Sequence, residues 1–174
     1  LTVTDRDDGE KYVITVKANS GSKTYDGTKL TVDGFETLSF TVNGQTYTVE
    51  GLTAHAEGTN VSDSKAVTVT GTPVVKDTAG NDVTAQFTVT TKNGTLTINQ
   101  RNVTLTSASD RKEYDGTPLE KPEVTVGGEG FANGEGAAYS YTGSQTTVGK
   151  SDNTFTYTPN AGTDEGNYDI TVYY

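Results

Sequence analysis

Ile14-Thr-Val-Lys-Ala-Asn-Ser-Gly-Ser-Lys-Thr-Tyr-Asp-Gly-Thr-Lys-Leu30 aligns without a gap on Val103-Thr-Leu-Thr-Ser-Ala-Ser-Asp-Arg-Lys-Glu-Tyr-Asp-Gly-Thr-Pro-Leu119, 89 residues downstream. Each copy reads as an alternating strand, a polar turn, Lys, one variable residue, Tyr-Asp-Gly-Thr and a Leu two residues later. Alternation sends Ile14, Val16 and Ala18 inward in the first copy and Val103, Leu105 and Ser107 inward in the second, with Thr15 and Lys17 facing solvent. A duplicated unit points to an array of modules and away from a single active site.

The rest of the composition agrees with a strand reading. Only 31% of the 174 residues are apolar, Gly numbers 20, Thr is abundant and Leu sparse. Thr, Val and Tyr in alternation suit half-buried strands, and helix formers are few. The expectation is an all-β protein of two tandem small β-modules, each a β-sandwich or grasp-like sheet, set end to end. Modules of this size can each bury a thin core. The boundaries expected are 1–11 for the last strand of a preceding repeat plus linker, 12–99 for the first module and 100–174 for the second.

Downstream of the motif, Leu38–Val42 and Tyr47–Val49 flank Asn43-Gly44, the strongest short hairpin signal because a type I′ turn needs positive φ at both central residues. The second copy has the looser Val124–Val126, Gly127-Gly-Glu-Gly130 and Phe131-Ala-Asn-Gly134 instead. The copies converge again at Thr59–Val61 with Ala66–Thr70 and Pro73, matching Thr146–Val148 with Thr154–Tyr157 and Pro159. Closing strands then follow a polar turn, Phe87–Val89 in one and Tyr168–Val172 in the other. A second Asn-Gly hairpin, Asn93-Gly94, is expected to lead into Thr95–Ile98.

The second module ends at Tyr174, where its counterpart of that strand should begin, while Leu1-Thr-Val-Thr4 looks like a spare copy of Leu96-Thr-Ile-Asn99. The expectation is an excised piece of a longer chain, cut one strand out of phase. An unpaired sheet edge invites association, so strand exchange between chains or pairing by Leu1–Thr4 is expected. Only Asn99-Gln-Arg-Asn102 joins the modules, and so short a linker leaves limited swing.

Charge and residue types narrow the chemistry. A net charge of −10 and a pI near 4.4 argue against nucleic acid and anionic membrane as partners. No apolar run approaches spanning length, so membrane insertion is not expected. Without Cys there are neither disulfides nor thiolate metal sites. His55 stands alone, which leaves transition-metal and acyl-transfer sites little to work with. The acids lie mostly in turns and differ between the copies, so a paired-carboxylate hydrolase is disfavoured. No enzyme activity and no cofactor are expected.

The site candidates are Tyr25, Asp26 and Gly27 with Tyr114, Asp115 and Gly116. As a binding platform, Tyr would stack on a sugar and Asp would accept its hydroxyls. As a turn, Asp bonds its own following backbone, Gly takes positive φ and Tyr covers the core edge. Occurrence in both copies favours the turn. Asp5, Asp7, Asp8 and Glu10 are weak metal candidates: hard cations want clustered carboxylates, but Gly and Glu fall at the wrong spacing for a helix-loop-helix calcium loop. A solvated acidic linker is the preferred reading. Lys17 is the one candidate for an internal Lys–Asn or Lys–Asp crosslink, and both its outward position and its counterpart Thr106 count against that.

The motif order resembles the YDG or MBG modules found in long tandem arrays of bacterial surface proteins and adhesins. The resemblance rests on Lys-x-Tyr-Asp-Gly-Thr after an alternating strand, Gly130-Phe-Ala-Asn-Gly134, Gln145-Thr-Thr-Val-Gly149, Gly166-Asn-Tyr-Asp-Ile-Thr-Val172 and Asn93-Gly-Thr-Leu-Thr-Ile98. The long Asn43-Gly44 hairpin departs from that pattern. The likeness implies an extracellular, cell-wall-attached array of mostly-β modules with no catalytic residues. The function expected is a non-catalytic stalk or spacer whose partners are neighbouring repeat modules. The alternative is an adhesion module that binds host glycan or protein, favoured if Tyr139, Tyr141, Tyr157, Tyr173 and Tyr174 shared one exposed face.

Overall fold

Branched and aromatic side chains favour extended backbone because they pack well on a pleated surface, and this chain is rich in them. The computed structural model describes residues 1–174. Strands take up 51% of the chain, there is no α-helix, and helical backbone is confined to short 3-10 turns such as Thr84–Gln86 and Glu165–Asn167. The protein is all-β. It divides into two compact units, one formed by Leu1–Lys23, Lys29–Thr59 and Asp63–Ile98, the other by Thr24–Thr28, Asn60–Ser62 and Asn99–Tyr174.

The first unit carries β1 (Tyr12–Lys17), β2 (Gly21–Thr24), β3 (Leu30–Asp33), β4 (Ser39–Val42), β5 (Gln45–Gly58), β6 (Lys65–Val67), β7 (Val69–Lys76), β8 (Phe87–Lys92) and β9 (Gly94–Asn99). β1 and β8 pair in parallel, from Tyr12 opposite Phe87 to Lys17 opposite Lys92. The long β5 pairs antiparallel with β3, β4 and β7, and its ladder to β7 shifts register between Glu50 and Leu52. The core gathers Ile14, Val16, Val49, Val75 and Phe87, with the Tyr47 ring edge-on to Phe87 at 4.8 Å.

Several local expectations match the backbone. Ile14, Val16 and Ala18 are buried while Thr15 and Lys17 are exposed. Asn43 at φ 49° and Gly44 at φ 77° make the turn from β4 to β5.

The second Asn-Gly hairpin is a correction. Asn93-Gly94 connects β8 to β9, yet the two do not pair: β8 lies on β1, and β9 lies between β2 and β6 in another sheet. Gly94 is demanded by space. A Cβ there would sit 1.9 Å from the Asn19 carbonyl oxygen. Asn93 contributes its side chain, whose Oδ1 accepts from the Val69 amide at 3.1 Å.

Leu1–Thr4 forms no strand. It pairs with nothing in the chain, and Leu1 and Val3 are fully exposed. The linker is also tighter than expected, since β9 runs to Asn99 and the next strand begins at Arg101.

In the second unit, β10 (Arg101–Ser107), β11 (Val124–Gly128), β12 (Ala137–Tyr141), β13 (Phe155–Pro159) and β14 (Tyr168–Tyr173) complete the strands. β10 is central, antiparallel to β11 and parallel to β14, with Arg101 opposite Tyr168 and Thr106 opposite Tyr173. β12 and β13 form an antiparallel pair. Val103 and Leu105 are fully buried as the alternation requires, and Ser107 is buried with its Oγ lacking a hydrogen-bond partner.

Candidate functional site: the Tyr-Asp-Gly turns and a shared carboxylate

An Asp followed two residues later by Thr can close a turn on itself, because one carboxylate oxygen reaches both the Thr amide and its hydroxyl. Asp26 Oδ1 accepts from Thr28 N at 2.8 Å and from Thr28 Oγ1 at 2.7 Å. Asp115 Oδ1 does the same with Thr117, at 2.9 and 2.7 Å. Gly27 and Gly116 take φ of 79° and 81°, the left-handed region that a side chain resists. Lys112 Nζ adds a 2.8 Å contact to Asp115 and, with the Thr117 donors, holds that carboxyl well below the usual carboxylate range.

The same device occurs outside the motif. Asp82 Oδ1 accepts from Thr84 N at 3.0 Å and Thr84 Oγ1 at 2.7 Å, with neither Tyr nor Gly in the sequence Asp82-Val-Thr84. The Asp-x-Thr lock thus forms at a turn without the Tyr and Gly of the motif, whereas Asp169-Ile-Thr171 lies within a strand.

The tyrosines of the two motifs differ sharply. Tyr114 is 68% exposed, whereas Tyr25 is 4% exposed. Within the second unit Tyr25 meets a half-buried carboxylate. Its hydroxyl donates to Glu135 Oε1 at 2.5 Å, and the Tyr168 hydroxyl donates to Glu135 Oε2 at 2.6 Å. The two rings meet edge-on with centroids 5.5 Å apart, and Phe131 packs on Tyr168 at 5.1 Å. The Ala132 amide donates to the Tyr168 hydroxyl at 3.0 Å.

Asn167, 1% exposed, accepts from the Val61 amide at 2.8 Å and donates to Asn60 Oδ1 at 2.9 Å. Arg101 donates to the carbonyls of Gly130, Glu129 and Tyr25. Burial, reinforced by the anionic Glu135, pushes the Tyr25 phenol up to about 12 and that of Tyr168 higher still. Both phenols stay protonated donors through the ordinary pH range, and the carboxylate is committed to them. The chemistry this arrangement offers is fastening of one segment to another.

Glu135, Asn167 and Tyr168 were not singled out from sequence as site residues. The signals were present, since Phe131-Ala-Asn-Gly134 directly precedes Glu135 and Asn167-Tyr168 opens the closing strand. Nothing local said that they converge on Tyr25.

The remaining candidates lie apart. Asp5 Oδ1 accepts from Gln86 Nε2 at 2.6 Å, and Asp8 pairs with Lys11 at 2.7 Å. No group of three or more His, Cys, Asp or Glu side chains is arranged to hold a metal ion. His55 is exposed and contacts Asp33 at 2.5 Å. Lys17 Nζ pairs with Glu36 Oε1 at 2.6 Å, not with an Asp or Asn. Tyr139 and Tyr157 sit opposite each other and half-buried, with Tyr157 donating to Glu165 at 2.7 Å, while Tyr141, Tyr173 and Tyr174 are exposed. Comparison with family models, curated proteins and solved structures finds no match.

Proposed function

We propose that this chain is a pair of tandem, non-catalytic β-repeat modules that serve as a spacer in a bacterial extracellular surface protein. The observation that carries the reading is the parallel pairing of the first strand of each repeat with a late one, β1 with β8 and β10 with β14. Tension applied at the start of β10 and the end of β14 acts along the strands. It loads the whole ladder together, whereas antiparallel terminal strands would unzip one bond at a time. That geometry suits a load-bearing stalk.

Three further facts support it. Both repeats close their motif with the same Asp-x-Thr turn. The buried tyrosines are spent on fastening. The order of motifs resembles the YDG or MBG surface repeats, which is the ground for placing the protein outside the cell and attached to its wall. In this reading the partners are neighbouring modules.

Single-molecule pulling tests the mechanism. Handles at Asn102 and Tyr173 load β10 and β14 in shear; handles at Asn102 and Asp169, which face each other across the ladder, peel them apart. The shear geometry should need clearly the higher force, and full extension of 102–173 at about 3.5 Å per residue releases roughly 250 Å of contour. Equal forces in both directions would remove the mechanical argument. Specific, saturable binding on a glycan array would instead favour an adhesion module.

A further inference from the structure

An Asn side-chain amide is open to attack by the next backbone nitrogen when the following residue is Gly, which has no Cβ to hinder the approach. The chain holds three such pairs, Asn43-Gly44, Asn93-Gly94 and Asn133-Gly134. The structure anchors the first two. Asn43 Nδ2 donates to the Tyr12 hydroxyl at 2.8 Å, at the tip of the hairpin that pairs Val42 with Gln45. Asn93 Oδ1 accepts from the Val69 amide at 3.1 Å, and Gly94 is held in β9 opposite Val67, hard against the Asn19 backbone.

Asn133 is different. It is exposed, and no hydrogen bond engages its side chain or the Gly134 amide. Gly134 takes φ 82°, and no atom lies within 4 Å of where a Cβ would stand. The pair forms the middle of a turn closed by the Glu135 amide, which donates to the Ala132 carbonyl at 3.0 Å. The central peptide of such a turn can rotate while the closing bond stays made. The Gly134 nitrogen can therefore reach the Asn133 carboxamide carbon without local unfolding. Asp26 and Asp115 also precede glycine, but each Oδ1 is held by the threonine two residues on.

We infer that Asn133 is a self-modification site, and that its deamidation loosens the Glu135 clamp. The Gly134 nitrogen attacks Cγ of Asn133. The N–Cγ bond forms, the Cγ–Nδ2 bond breaks, and ammonia leaves with the proton of the attacking amide. The resulting cyclic imide takes up water at either carbonyl and opens to aspartate or isoaspartate. One water is consumed, one ammonia is released and one carboxylate is gained.

Both products place a negative charge two residues from Glu135, whose carboxylate already serves Tyr25 and Tyr168. Like charges at close range disfavour each other. Isoaspartate also adds a methylene to the main chain between two fixed points. One is Ala132, whose amide donates to the Tyr168 hydroxyl at 3.0 Å, and the other is Glu135 itself. The clamp is thus tight in a new chain and loosens with age. The spacer reading does not depend on it.

The test ages the whole chain in mildly alkaline buffer at body temperature and follows it by peptide mapping, with fragmentation that separates aspartate from isoaspartate. Asn133 should convert at least several-fold faster than Asn43 or Asn93, and in strong urea the three should convert at similar rates. Anion exchange then separates modified from unmodified chains by the added charge. Hydrogen exchange at the β10 and β14 amides should be several-fold faster in the modified chains. Asn133→Gln chains aged in parallel should keep their protection, and Tyr25→Phe chains should lose less on modification because one clamp bond is already gone. Comparable conversion at Asn43 or Asn93, a preference for Asn133 that persists in urea, or modified chains with unchanged β10 and β14 protection overturns the inference.

Discussion

Replacing Tyr25 by Phe removes one oxygen and leaves the ring. At 4% exposure, edge-on to Tyr168 at 5.5 Å, that ring keeps its packing in the variant. What disappears is the 2.5 Å donation to Glu135 Oε1. A hydrogen bond to a charged group contributes about 1.5–3 kcal/mol. Glu135 keeps its bond from Tyr168 and is only half-buried, so water can reach the freed oxygen. The cost therefore falls at the lower end, about 1.5 kcal/mol. Hydrogen exchange read by mass spectrometry should show protection of the β10 and β14 amides dropping roughly tenfold, since 1.4 kcal/mol is one decade. Glu135→Gln should cost more, about 3 kcal/mol, because one amide oxygen must then serve two phenols. The two changes share one interaction, so the double variant should fall short of additivity by about 1 kcal/mol. Unchanged protection in Tyr25→Phe, or strict additivity, would refute the claim that this carboxylate fastens the unit.

Four further outcomes follow from the same geometry. Raised phenol pKa values mean that the stabilisation from Tyr25 and Tyr168 is complete below pH 10, the ordinary tyrosine value, and is lost as pH rises through about 12. Circular dichroism of urea melts across that window should show falling stability, with a shallower fall in Tyr25→Phe. Gly94→Ala drives a Cβ into backbone at Asn19 and should cost about 3 kcal/mol or more, read as a lowered denaturation midpoint. Asn167→Ala strips the Val61 amide of its acceptor and should cost about 2 kcal/mol by the same assay. Gly116→Ala, with open space around it, should cost only the left-handed strain of about 1 kcal/mol; no loss of stability there would contradict the turn reading.

What could be read in advance was what neighbours in sequence determine. Period-two alternation sorted Ile14, Val16, Val103 and Leu105 to the inside, and the φ demands of Asn43-Gly44 marked a hairpin. Sequence position says nothing about a partner 75 residues away, so the parallel pairing of Tyr12 with Phe87 left no local trace. Asn93-Gly94 misled for the opposite reason. A dipeptide that suits a type I′ turn is present, but Gly94 is there because Asn19 passes within touching distance, and the chain leaves one sheet for another. Glu135 lies 110 residues from Tyr25, and nothing in its own surroundings announces a buried clamp.

Tyr25 and Tyr114 share their local sequence, their turn and the φ of the glycine that follows two residues later, yet one is buried and the other mostly exposed. Local chemistry therefore cannot decide what this tyrosine does. The Asp and Thr of the motif make the same turn bonds in both copies, the Gly takes the same left-handed φ, and Asp82 with Thr84 reproduces the bonds without the motif. Those residues make the turn. The tyrosine is the part whose role depends on what lies opposite it, and in the second unit that is the carboxylate of Glu135. A search for specificity in these repeats should accordingly follow the tyrosine and its carboxylate partner, because the aspartate makes the same turn bonds in both copies.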